Sequence, residues 1–251
     1  MTDGPALLVV DGLAKRFGQL VVVADLSFEV RAGQALGVVG PNGAGKSTML
    51  NLINGVLAAD SGSVHFAGRD ISRLGAAQRC VAGIARTYQV PQPFEGMTVL
   101  ENVLVGAELG SGRRGGNGYQ LAYAALDATG LLPVANARAG GLPLLARKQL
   151  EMARALATDP QLILLDEVAG GLTDQELPSL VAAVRGLRDR GVAVIWIEHI
   201  VHALLAVVDR LMCLTYGTML AIGEPLEVLR NVDVRDAYLG SSIDVEGAGP
   251  A

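Results

Sequence analysis

Residues 40–48, Gly40-Pro41-Asn42-Gly43-Ala44-Gly45-Lys46-Ser47-Thr48, hold the densest chemistry in the chain. They fit the pattern G-x-x-x-x-G-K-[ST], in which glycines let the backbone curl until successive N–H groups converge on phosphate oxygens. A helix opening there adds the positive end of its dipole. Lys46 is spaced to reach β- and γ-phosphates, and the Ser47 hydroxyl to ligate Mg²⁺. Much further along, Leu162-Ile163-Leu164-Leu165-Asp166-Glu167 sets two acids behind four apolar residues. Carboxylates at the carboxyl end of a buried strand stand where α/β sheets bind ligands. Asp166 suits Mg²⁺ coordination, directly or through water, and Glu167 suits the base that polarises an attacking water. Alone, an apolar run ending in two acids is also what a strand meeting solvent looks like. The glycine loop in the same chain gives it meaning.

Those residues need elements to hold them. Residues 34–39 (QALGVV), 161–165 (QLILL) and 192–197 (VAVIWI) are apolar strands of the kind found in a sheet covered on both faces. A helix is predicted from about Lys46 to Asn54, stopping at Gly55. Residues 7–10 (LLVV) and 21–30 (VVVADLSFEV) also read as strands. In the second, Leu26, Phe28 and Val30 alternate with Ser27 and Glu29, as in a half-buried antiparallel strand. Residues 60–71 read as a hairpin strand between turns. Strands alternating with helices predict a mainly parallel α/β sheet. Between about 98 and 158 the pattern is helical only, broken by the glycine-rich basic stretch 110–118, which reads as a surface connection. The expected organisation is one domain: an α/β core of 1–92 and 161–240, an inserted helical subdomain at 93–160, and a frayed tail at 241–251.

Composition narrows the classes. The chain has 251 residues, 51% hydrophobic and 18% charged, with a formal charge of −5 and acids and bases interspersed. That argues against nucleic acid, which calls for a basic face. Mean hydropathy is +0.39, yet every apolar run is cut by a charge before the roughly 18 residues a span needs. Residues 211–223, flanked by Arg210 and Glu224, are typical. The start, MTDGPALLVVDG, has no basic region or cleavage-like site. Cys80 and Cys213 lack metal-ligand spacing and read as buried free thiols of a cytosolic protein. The excess apolarity fits a broad protein interface.

Together these motifs resemble the ATP-binding cassette (ABC) ATPases, and the likeness runs over nearly the whole chain. Phe17 in KRFG stands where that family stacks an aromatic on adenine. Gln89 in ARTYQ matches its glutamine that senses Mg²⁺ and the transport partner. Residues 170–174 (GGLTD) match the loop after the catalytic glutamate, and His199 in WIEH the switch histidine that contacts the γ-phosphate. Singly, Phe17 could be core and His199 an ordinary surface histidine. The resemblance implies a P-loop NTPase core with an antiparallel β subdomain, and ATP and Mg²⁺ as cofactors. It implies Glu167, His199 and Lys46 as catalytic, Phe17, 40–48 and Gln89 around the nucleotide, and Ser47, Gln89 and Asp166 at the metal. Within the family, RTYQVPQPFEGMTVLENVLVGA and YGTMLAIGEPLEVLRNVDVRDAYLG are similar to ATPases of branched-chain amino-acid importers and their urea or amide relatives. The implied partners are a second ABC ATPase subunit, transmembrane permease subunits and, indirectly, an extracytoplasmic solute-binding protein. The implied location is the inner face of the cell membrane, as a peripheral subunit.

One departure stands out. The family signature LSGGQ should precede 150–156 (LEMARAL), and Leu142-Pro143-Leu144-Leu145-Ala146 stands there. In the family, a serine hydroxyl and glycine amides at a helix N-terminus bind the γ-phosphate held by the other subunit. Pro143 supplies neither hydroxyl nor N–H, although proline suits a helix start, and Leu145 is expected to add bulk where the phosphate approaches. Cassettes of this family pair head to tail, so the resemblance implies asymmetry. This chain's Lys46, Asp166 and Glu167 would work beside a partner's intact signature, and the partner's loop would face LPLLA. A homodimer would have two weakened sites. The alternative is that the variant works through backbone groups and Arg147 or Lys148. Rival readings of the chain are a non-transport ABC ATPase and a nucleotide-binding subunit with little activity of its own.

Overall fold

The structure, a computed structural model, describes residues 5–110 and 116–239. Most of the glycine-rich stretch at 110–118 and the whole tail at 241–251 therefore lie outside the described residues. Two sheets form among these. The first begins with β1 (Ala6–Phe17) and β2 (Leu20–Arg31), which pair antiparallel. Leu26, Phe28 and Val30 turn inward and Ser27 and Glu29 outward, the alternation expected of one covered face. β4 (Ser61–Phe66) and β5 (Arg69–Asp70) complete this sheet in the order β2-β1-β4-β5.

The second sheet positions the chemistry. Its order is β10-β9-β3-β8-β7-β6, with β3 (Ala35–Val39), β6 (Ile84–Arg86), β7 (Leu162–Asp166), β8 (Ala193–Ile197) and β9 (Arg210–Thr215) parallel, and β10 (Thr218–Gly223) antiparallel at one edge. β3, β7 and β8 are buried along their whole length, which is why they read as unbroken apolar runs. One face packs on α1 (Lys46–Asn54) and the first sheet, through Met49, Leu50, Ile53, Leu13 and Leu26. The other packs on α6 (Leu177–Asp189) and α7 (Val201–Leu205). The single tryptophan, Trp196, is fully buried in β8 between Gly37 of β3 and Leu165 of β7. The apolar stretch 211–223 folds as the β9–β10 hairpin, and no helix among the described residues is long and apolar enough to cross a membrane.

Between β6 and β7, α3 (Val99–Leu109), α4 (Gly116–Ala128) and α5 (Leu144–Leu156) enclose a cluster of their own around Val103, Ala107, Leu126, Leu150 and Ala153. α5 also reaches the sheet, where Met152 and Ala155 join the cluster beneath α6. Further helices include α2 (Ala76–Val81) before β6 and α8 (Pro225–Arg230) after β10, the latter followed by short helical turns at Val232–Val234 and Arg235–Leu239. Cys213 is buried as expected; Cys80 is only partly so, because it sits on the outer side of α2 beside Thr158.

Candidate active site

Adjacent parallel strands β3, β8, β7 and β6 end side by side, so the segments that follow them converge. After β3 the chain curls through residues 40–45 into α1. Gly40 and Gly45 have φ of 148° and 97°, and a β-carbon would stand 2.1 Å from the Leu214 carbonyl oxygen at Gly40 and 2.5 Å from that of Val22 at Gly45. Only glycine fits both the rotation and the space. The curl is also tied from outside. Gly217, in the β9–β10 turn, donates its N–H to Ala44 and accepts from Ala24 of β2. A cavity of about 220 Å³ is lined by Val22, Asn42, Gly43, Ala44, Gly45, Lys46, Ser47, Thr48 and Glu167.

Lys46 donates to the carbonyls of Gly40 (2.7 Å) and Pro41 (3.0 Å), which aims its stem along the loop. Burial lowers its ammonium below the ordinary lysine value, while Glu167, Asp166 and Cys213 act against that. Burial likewise pushes the Cys213 thiol up to about 11. At the end of β7, the Ser47 hydroxyl donates to Asp166 Oδ1 at 3.4 Å. Arg86 at the end of β6 takes the other oxygen, Nη2 to Oδ2 at 2.9 Å, and its Nη1 donates to Asn51 of α1. This pair is almost entirely buried.

Glu167 follows with φ of 48°, a left-handed backbone uncommon outside glycine. Its N–H bonds the Ile197 carbonyl at 2.9 Å, so the turn is anchored on β8. The carboxylate then meets two side chains from other strand ends. Gln89 Nε2 donates to Oε2 at 2.7 Å, and His199 Nε2 stands 2.7 Å from Oε1. Residues chosen from sequence on separate grounds thus share one carboxylate. Phe17, at the tip of the β1–β2 hairpin, is 48% exposed with the Lys15 ammonium 5.7 Å from its ring centre, so it is not a core residue.

A glycine curl opening a helix, a carboxylate–hydroxyl pair beside it and a second carboxylate spanned by glutamine and histidine form one face. The model of the family described as "ABC transporter" matches residues 23–170. The chain belongs to this family. It is an ABC ATPase, and its relatives agree along the whole length. The high-affinity branched-chain amino acid transport ATP-binding protein LivG of Salmonella typhimurium is 35% identical, over 94% of this chain and 98% of that one. The probable branched-chain amino acid transport ATP-binding protein LivG of Methanocaldococcus jannaschii is 32% identical, over 96% and 100%. Among solved structures, a nucleotide-free ATP-binding cassette from an ABC transporter superposes with a TM-score of 0.85 at 31% identity, covering 94% of this chain and 100% of that one. The ADP conformation of such a cassette gives 0.85 at 32%, covering 95% and 100%.

The signature position differs in detail from expectation. α5 extends back to Leu144, so Pro143 is its N-cap, extended and without a side-chain cap, and Leu144, Leu145 and Ala146 form the first turn. Leu145 adds no bulk at the open face: it packs into the cluster beneath α6. Leu144 is the exposed residue, lying against Gly171. Arg147 spends its guanidinium on the carbonyls of Leu142 and Gly140, both at 2.8 Å. Lys148 is buried beside Glu198 and Glu167. Neither cation is directed outward, and the amides of the first turn are what remain. Two residues of the site went unread in the sequence, Arg86 and Glu198. Both stand inside quoted motifs, ARTYQ and WIEH, one or three positions from the residue singled out.

Proposed function

We propose that this chain is the ATP-hydrolysing subunit that powers an ABC importer, for branched-chain or other small amino acids or amides, working as a peripheral subunit on the inner face of the membrane. The relatives' names support the solute class. The observation that carries hydrolysis is Glu167, whose carboxylate is held between Gln89 and His199 at the rim of the glycine loop.

In this reading the N–H groups of 40–48 cradle the phosphates, Lys46 bears on the β- and γ-phosphates, and Phe17 packs on adenine. Glu167 polarises the attacking water and His199 bears on the γ-phosphate. Ser47 and Asp166, with Gln89, would hold Mg²⁺. Their oxygens suit a hard cation that takes one or two carboxylates and fills its other positions from phosphate and water. The ion would neutralise charge on the phosphate oxygens.

A cavity of about 680 Å³ runs from Ser47, Asp166 and Gln89 out to Tyr88, Val90 and Phe94, all three of the latter exposed. Arg154 of α5 braces its rim, donating to the Gln92 carbonyl and lying 5.0 Å from the Phe94 ring centre. A permease segment seated there would press on the loop that holds Glu167. The helical stretch 93–160 would pass on the movement. The second cassette supplies the signature that completes this chain's site, and Pro143 and exposed Leu144 favour a partner of different sequence.

Replacing Glu167 with Gln tests the reading. ATP binding should be retained and turnover should fall by about 100-fold or more. Normal hydrolysis in that variant removes Glu167 from the role. The weak signature also favours a second reading, a nucleotide-binding subunit with little activity. Single-turnover hydrolysis in the complex with the natural partner decides between them.

A further inference from the structure

The roles above leave one buried carboxylate unused. Glu198, the residue between β8 and His199, is 2% exposed. Its Oε2 accepts the Ala169 N–H at 2.9 Å and its Oε1 the His199 N–H at 2.9 Å. The Ile200 N–H bonds the same group. Ala169 lies two residues beyond Glu167. One side chain therefore fastens the turn that leaves Glu167 to the turn that carries His199, and those two residues face each other at 2.7 Å.

A third element comes to the same place. Lys148 of α5 is 3% exposed, and Glu198 and Glu167 are the charges that act on it. Burial lowers the Lys148 ammonium while those carboxylates act against it. Burial raises the Glu198 carboxyl, the three N–H groups oppose the rise and Glu167 adds to it. A buried acid is costly unless its oxygens are satisfied and a countercharge is near. An apolar side chain would fill this space without that cost, but it could not accept N–H groups from two turns at once.

We propose that Glu198 is a positioning residue for ATP hydrolysis: by accepting N–H groups from both turns it sets the facing pair of Glu167 and His199. The inference rests on the reading of Glu167 as base.

The test is a cycle of variants in the assembled transporter, read as kcat, affinity for a fluorescent ATP analogue and Tm. Glu198→Gln keeps size but has only one oxygen left to accept N–H groups. Misplacing the pair slightly should lower kcat about tenfold or more, with nucleotide affinity within about twofold. Added to Glu167→Gln it should cost nothing further, because Glu198 acts through that residue. A kcat within about twofold of the parent overturns the inference, as does multiplication of the two losses, the mark of independent structural damage. If Glu198→Gln does not fold, Glu198→Asp, whose shorter stem cannot reach both turns, takes its place in the cycle, with a several-fold loss of kcat expected and none on top of Glu167→Gln; unchanged kcat again overturns it. Normal turnover in Glu167→Gln alone is a different result: it removes the base assignment itself.

Discussion

Asp166 meets Ser47 through one oxygen and Arg86 through the other, and the guanidinium continues to Asn51 on α1. Arg86 therefore joins the phosphate-loop helix to the carboxylate that closes β7. Removing one partner of a buried ion pair leaves the other charge uncompensated, at a cost of about 3–5 kcal/mol. Arg86→Met should accordingly lose about 3 kcal/mol of unfolding free energy in urea titrations. Arg86→Lys should recover only part of this, since one ammonium lacks the fork that spans Asn51 and Asp166. An unchanged midpoint in Arg86→Met would show the pair to be unimportant for stability. The residues that could be read from sequence, Lys46, Ser47, Asp166 and Glu167, belong to motifs whose chemistry is local to a loop or strand end. Arg86 and Glu198 act through contacts with residues far off in the chain. Nothing in their type or spacing shows that they turn inward.

Helix ends carry the next level. α1 stops on Gly55, which turns left-handed with φ of 78°, and Arg79 from α2 fills the space below it. The buried guanidinium donates to the carbonyls of Leu52, Ile53, Leu74 and Ser72. Arg79→Met would strand these acceptors, and unsatisfied buried groups cost about 1–3 kcal/mol each. Loss of cooperative unfolding or a large fall in Tm is the expected result. α3 opens on a capping box, Thr98 accepting from the Glu101 N–H and Glu101 from the Thr98 N–H. Thr98→Ala should cost about 1 kcal/mol by chemical denaturation. The bond from the Thr98 N–H holds the Glu101 carboxyl below its usual value. A depressed carboxyl stabilises above its unfolded value and loses that contribution as pH falls through the folded one. The stability difference between the parent and Glu101→Gln should therefore begin to shrink as pH falls below about 4.3, the unfolded value, and vanish below the lower folded one. A difference independent of pH would assign Glu101 a role other than its charge. The long apolar strands and the stop at Gly55 were legible because burial on both faces and glycine leave plain marks. β6 was not, being three residues long, and β1 showed only LLVV because register shifts along its pairing break the alternation.

At the scale of the whole molecule the open question is what LPLLA does for a second cassette. Leu145 is partly buried against the core and should be left alone, while Pro143 and Leu144 stand at the exposed N-terminus of α5. The variant Pro143→Ser with Leu144→Gly would restore a hydroxyl and an unobstructed amide. Purified alone, it should hydrolyse ATP about tenfold faster than the parent chain, a change of about 1.4 kcal/mol in barrier. Equal rates would mean that the first-turn amides of the natural sequence already suffice. The sequence shows this departure, but the expectation for Leu145 rests on alignment with the family signature, and of the two leucines in the first turn it is Leu144 that is exposed. The buried tryptophan has a practical use at this scale. Trp196 is the chain's only one and sits dry in the middle strand of the parallel sheet, whereas the cluster inside α3, α4 and α5 contains no aromatic residue. Its emission is thus a native optical probe of one half of the molecule. Circular dichroism, dominated by helices, watches both, since α1, α6 and α7 lie on the sheet and α3, α4 and α5 beyond it, and any gap between the two melting curves is the degree to which the halves come apart separately.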